Sequence, residues 1–103
     1  MNNANKAYGW LETGKQIGKN FTYSKQDKLY YASVAIQKCG GVYKLYYNEI
    51  EESHIPAHED YLLEVIDVQH FNQLLILVPQ KTCFQLDALA PLKGQKIFNP
   101  RFY

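Results

Sequence analysis

The sequence predicts a mainly β fold: an antiparallel β-meander, sandwich or half-barrel with at most one or two short helices, an α+β arrangement being the alternative. Three observations point there. Aromatic residues make up 15% of the chain, with nine Tyr and five Phe, and such rings pack better on a pleated sheet than along a helix. In residues 29–37 a set of apolar residues recurs at every second position, and a glycine pair then returns the chain into a second alternating run. The remaining runs are joined by short connections, as hairpins between antiparallel neighbours require. With 103 residues, the chain is sized for one core, so residues 1–103 read as a single binding domain.

The elements follow in order. Residues 1–28 are polar and carry Gly9, Gly14 and Gly18. They read as irregular, with Tyr8, Trp10, Leu11, Ile17, Phe21 and Tyr23 as anchors onto the core. A short helix or edge strand here is weakened by the glycines. In residues 29–37, Tyr30, Ala32, Val34 and Ile36 form the expected core face of a strand, and Tyr31, Ser33, Ala35 and Gln37 the opposite face. Lys38-Cys39-Gly40-Gly41 reads as a tight hairpin loop, since glycine accepts the positive φ such turns need. Residues 42–51 return as a second strand, with Tyr43, Leu45 and Tyr47 on one face and Lys44, Tyr46 and Asn48 facing outward.

Residues 52–60 have no apolar period and contain Pro56; they read as an exposed loop of the kind that often carries binding function. Residues 61–68 suit a third strand. Residues 74–78 are continuously apolar and bounded by Pro79, as a buried central strand would be, with residues 69–73 as the turn between. A single helix over residues 59–77 competes, but Leu62, Val65, Ile66, Gln69 and Gln73 match helical spacing only in part. Thr82 would cap a short helix through Ala90, with Phe84, Leu86 and Leu89 turned inward and Pro91 ending it. Lys93-Gly94 reads as a turn, residues 95–98 as a short final strand, and residues 99–103 as a tail whose two aromatics tuck back onto the body.

Composition narrows the function classes. The longest apolar run is far shorter than the ~20 residues a membrane-spanning helix needs. The N-terminus, Met-Asn-Asn-Ala-Asn-Lys, is polar and unlike a secretory signal. Two cysteines, Cys39 and Cys83, are too few for a disulfide framework. A cytoplasmic location with both thiols free is the expectation, and each Cys reads as a small packing residue.

Net charge is only +1, but its distribution is uneven. Between Leu45 and Gln80 there is no Lys or Arg, and seven acids gather there: Glu49, Glu51, Glu52, Glu59, Asp60, Glu64 and Asp67. Lysines dominate on either side. The segment reads either as a solvated acidic surface met by lysines across the fold, or as one that draws a basic partner, because single-signed patches steer association.

No catalytic signature emerges. Gly9-Trp10-Leu11-Glu12-Thr13-Gly14-Lys15-Gln16 has phosphate-loop spacing, yet Gln16 stands where a Ser or Thr would ligate magnesium, no apolar strand precedes Gly9, and no long helical pattern follows Lys15. His54 and His58 would align as metal ligands on a helix, but Pro56 between them disfavours that helix. Neither cysteine has a base beside it in the sequence, and the crowded carboxylates sit in a hydrophilic loop that is a poor place for a catalytic cleft. Basic residues interleave with aromatics at residues 19–25 and 96–103, as in single-strand binders; the acidic middle and small net charge argue against nucleic acid. No enzyme activity, metal or cofactor is expected, and binding of another protein remains.

Short length, many tyrosines, the acidic loop, the passage Leu29-Tyr30-Tyr31-Ala32-Ser33-Val34-Ala35-Ile36 and the ending Pro91-Leu92-Lys93-Gly94-Gln95-Lys96-Ile97-Phe98 together resemble the small immunity proteins of bacterial contact-dependent growth inhibition systems. The resemblance spans about half of the chain and aligns no motif across the whole of it. It implies a monomeric inhibitor that binds a cognate toxin in a 1:1 heterodimer, with a nuclease, in particular an RNase, as the expected toxin. A nuclease cleft is positive because it holds phosphates, so carboxylates would occupy the phosphate positions. Glu49, Glu51, Glu52, Glu59 and Asp60 are the candidates, with His54, Ile55 and His58 at the loop crest. Tyr46 and Tyr61 are the expected aromatic anchors. A different protein-binding or structural accessory module is the alternative.

Overall fold

A computed structural model describes residues 4–54, 62–94 and 96–102. The chain forms a four-stranded antiparallel sheet in the order β1-β2-β3-β4, each strand pairing with its neighbour in sequence. The strands are β1 (Ile17–Lys25), β2 (Lys28–Cys39), β3 (Val42–Glu51) and β4 (Leu62–Val68). Helix α1 (Ala4–Glu12) precedes the sheet and α2 (Phe71–Lys81) follows it. The meander expected from the sequence is therefore the fold.

Register explains the two faces. Ile17 lies opposite Ile36, and Phe21 opposite Ala32. Val34 lies opposite Tyr47, and Ile36 opposite Leu45. Those positions, two apart along each strand, share one face. Helices α1 and α2 and a single helical turn at Leu86–Ala88 close that face: Ala7, Leu11, Leu74, Val78, Leu86 and Leu89 pack with Ile17, Val34, Ile36 and Leu45 in one buried cluster. Of the expected core face of β2, Ala32, Val34 and Ile36 join this cluster, whereas Tyr30 lies outside it. Both β-turns are two residues long. Gly40 and Gly41 take φ of 63° and 84°, and at the β1–β2 turn Gln26 and Asp27 take φ of 53° and 63°. Positive φ at both central positions matches the twist of the flanking strands. Lys38 and Cys39, expected in the loop, belong to β2.

Several expectations are corrected. Between residues 4 and 25 the chain is regular rather than irregular: α1 forms despite Gly9 because Ala7 and Leu11, one turn apart, are both fully buried. Thr13 closes it, donating to the carbonyl of Trp10 at 2.9 Å, and Gly14, at φ 86°, turns the chain. Residues 74–78 are helix, not a central strand. Leu74 and Val78, four apart, are fully buried, whereas Leu75 and Ile76 are 39% and 62% exposed, so the run presents one helical stripe inward. The single helix over residues 59–77 is also excluded, because Leu62–Val68 is a strand. Thr82 does not start a helix. It ends α2, its hydroxyl donating to the Val78 carbonyl at 2.9 Å and accepting the Phe84 N–H at 3.0 Å.

The C-terminal region forms no strand at Ile97 and Phe98. A side chain replaces the ladder: Gln16 Oε1 accepts the Ile97 N–H at 2.7 Å, and Gln16 Nε2 donates to the Phe98 carbonyl at 2.7 Å. Gln16 Nε2 also donates to Gln37 Oε1 at 2.9 Å, and Gln37 Nε2 to the Gly14 carbonyl at 3.0 Å. This polar staple lays Phe98 against the second face of the sheet, where Ala35, Tyr46 and Phe98 form a smaller buried cluster with Val65 and Ile97. Of the tail, Pro100 is buried while Phe102 stays 80% exposed.

Candidate functional site

Beyond the reach of the helices, the inner face of the sheet continues toward the β1–β2 turn, and its chemistry changes there from aliphatic to phenolic and acidic. Tyr23 pairs across the strands with Tyr30, and their rings stack at 5.1 Å between centroids. On β3, Tyr47 and Glu49 follow on the same face, two residues apart. The Tyr47 hydroxyl donates to one oxygen of Glu49 at 3.0 Å, and the Tyr23 hydroxyl donates to the other. Burial first, and the bond to Glu49 second, push the Tyr23 hydroxyl up to about 12. The same two causes, in the same order, raise Tyr47. Both phenols therefore stay protonated near neutral pH and act as donors to the carboxylate.

The segment leaving α2 faces this group across a cleft of about 450 Å³ lined by Phe21, Tyr23, Tyr47, Glu49, Lys81 and Phe84, among others. Phe84 meets Phe21 edge-on at 5.0 Å and carries the Lys19 ammonium 5.1 Å from its ring centroid. Lys81 Nζ is 2.9 Å from Glu64 Oε1. Among the described residues, no Lys or Arg pairs with Glu49.

The expected site residues fall into three groups. Glu49 sits in this cleft. Glu52, directly after β3, is exposed at the same end of the molecule. Glu51 is only 6% exposed and accepts the Ser53 hydroxyl, so its carboxylate is not the surface group expected. Tyr46 is the clearest correction: it is 6% exposed and stacks on Phe98 at 4.8 Å. Strand alternation did put it opposite the main core, but the C-terminal segment covers that face. Ile55, His58, Glu59, Asp60 and Tyr61 lie outside the described residues, as does the side chain of His54. The remaining acids of the central stretch are partnered: Asp67 with Lys44 at 2.7 Å and Glu64 with Lys81. For these two, lysines across the fold do meet the charge.

Sequence reasoning missed Tyr23, Tyr47 and Phe84 as site residues. The available signal was the alternation Phe21-Thr22-Tyr23 beside Tyr47-Asn48-Glu49, which puts two phenols and a carboxylate on one face once the register is known. The segment with phosphate-loop-like spacing is helix and not loop over its first four residues, since Gly9 to Glu12 lie within α1. Among the described residues, no three His, Cys, Asp or Glu side chains converge as a metal site, and no helix is long and apolar enough to cross a membrane. Cys39 is half-buried and Cys83 exposed, both as free thiols.

On the opposite face, Asn20, Tyr31, Ser33, Asn48 and Ile50 line an open trough of about 680 Å³. Comparison with known proteins adds no relative: no family model, no curated protein and no solved structure matches this chain.

Proposed function

We propose that this domain is a non-catalytic binding protein that neutralises a basic toxin domain, a nuclease being the expected target, in the manner of the small immunity proteins it resembles in sequence. The observation that supports it best is the pair of carboxylates at one end of the sheet, Glu49 near the end of β3 and exposed Glu52 directly after it. In the sequence that follows, Glu59 and Asp60 add two more acids before β4. No Lys or Arg interrupts that stretch of sequence. Such an end would meet a positively charged cleft, where carboxylates take the places of phosphates, and would raise the rate of encounter. Tyr46 drops out as an anchor because it is buried, and the partly exposed Tyr23 and Phe84 of the Glu49 cleft take its place as the aromatic component of the interface.

The test has two steps. The partner retained by the full chain from its native host is identified, and the partner's C-terminal domain is then expressed alone in a heterologous bacterium, with and without this protein. Growth arrest that co-expression relieves is the expected result. A partner whose domain is harmless, or whose toxicity this chain leaves unchanged, overturns the reading in favour of an accessory binding module.

A further inference from the structure

We infer that the cleft between β1, β3 and the segment after α2 is a receptor for an arginine side chain, with Glu49 as the anion that holds the guanidinium. Three features of the cleft lead to this ligand. The first is its walls. Phe21, Tyr23 and Phe84 present aromatic surface around a space of about 450 Å³. Rings of this kind attract a cation through their quadrupole, and a planar guanidinium can also stack on them. Phe84 already accepts a cation from within the chain, that of Lys19.

The second is the carboxylate. Each oxygen of Glu49 accepts one tyrosine hydroxyl, and an ionised carboxylate offers about four lone-pair sites in all. One acceptor position per oxygen is left, which is the pattern a forked N–H donor fills. The tyrosines hold the group in place, so little side-chain freedom is lost on binding.

The third is the surrounding charge. Lys81 is neutralised by Glu64 at 2.9 Å, and exposed Lys25 also lines the cleft. An anion would have to sit beside the Glu49 carboxylate. A lysine ammonium would gain the charge contact but neither the fork nor the stacking.

The chemistry of the cleft stands by itself; that the arginine belongs to a toxin rests on the proposed function. The two are separated by the choice of probe. The full chain is titrated with Nα-acetyl-arginine amide and, separately, with its neutral isostere Nα-acetyl-citrulline amide, while the ring signals of Phe21, Tyr23 and Phe84 are followed by NMR. Saturable shifts with the arginine probe are expected, with roughly tenfold or weaker binding of citrulline, as loss of a charge-assisted contact implies. Glu49→Gln should reduce arginine affinity to a similar degree. Phe84→Ala, which alters a residue outside the sheet, should weaken it too and serves where Glu49→Gln changes the fold.

The inference is overturned by the absence of saturable shifts, by equal binding of citrulline, or by full arginine affinity in a folded variant. Arginine binding by a chain whose partner is no toxin would sink the proposed function and leave the receptor standing. Protection from a toxin with no arginine response would do the reverse.

Discussion

At the scale of single residues, phenol hydroxyls donate to two of the carboxylates. Tyr23 and Tyr47 hold Glu49, and Tyr43 donates to Glu12 at 2.7 Å while Lys38 reaches the same carboxylate at 2.9 Å. Burial first, and then the Glu12 carboxylate, push Tyr43 up to about 12. These phenols bind their protons more tightly in the folded chain than in the unfolded one. Their contribution to stability is therefore complete below the ordinary phenol value of 10 and is lost as pH rises through about 12. The melting temperature should stay level up to about pH 10 and then fall across this alkaline window. The double variant Tyr23→Phe/Tyr47→Phe should have a shallower decline, since it no longer carries two of the titrating groups. A wild-type and a double variant with the same alkaline slope would show that these hydroxyls do not drive the loss. Glu12 adds an acid limb of opposite sign. Hydrogen bonds from Lys38 and Tyr43 hold its carboxyl below the ordinary value of 4.5, so what it contributes is present above that value and lost as pH falls.

At the scale of elements, the sheet depends on one close approach. At Gly18, β1 runs under the C-terminal region, exchanging backbone bonds with Ala90 at 2.9 and 3.4 Å. A Cβ there would lie 2.7 Å from the Val34 carbonyl oxygen and 2.8 Å from Ile97 Cδ1. The first of these is backbone and cannot swing away. Gly18→Ala should therefore cost about 1–3 kcal/mol as an overpacked site, read as a lower urea midpoint with an unchanged slope. A variant as stable as the wild type would mean that β1 can shift away from β2 at this point. The glycine marks how much of the elements could be read beforehand. Residues 29–51 were legible because alternation and the Gly40-Gly41 turn are local signals that agree with each other. Residues 74–78 were not, because a short unbroken apolar run has no period, and only the exposure of Leu75 and Ile76 reveals the helix. Likewise, nothing local in Gln16 announces that its side chain will bond the backbone of residues 97 and 98, some eighty positions away.

At the scale of the whole molecule, the acidic stretch was legible as a stretch but not as a surface. Sequence spacing counts charges, whereas the fold sorts them: Glu64 and Asp67 are neutralised by lysines, Glu51 turns inward, Glu49 enters a cleft and Glu52 remains outside. Exposed ion pairs such as that of Asp67 contribute little to stability, so what the acids could supply is a field acting on a partner. Reversing exposed Glu52 together with Glu59 and Asp60 of the hydrophilic sequence after it to Lys tests that field. If the sheet end steers a basic partner, association should slow by on the order of ten- to a hundredfold at low salt while dissociation changes much less, because steering acts on encounter rather than on the docked contacts. Raising the ionic strength should bring the association rates of wild type and variant together, since exposed charges are screened over about 8 Å at physiological salt. Association rates with the identified partner, followed across a salt series, distinguish the cases. Equal rates with parallel salt slopes would show that the acids outside the cleft are only solvated, and would leave Glu49 and its phenols as the charged part of the contact.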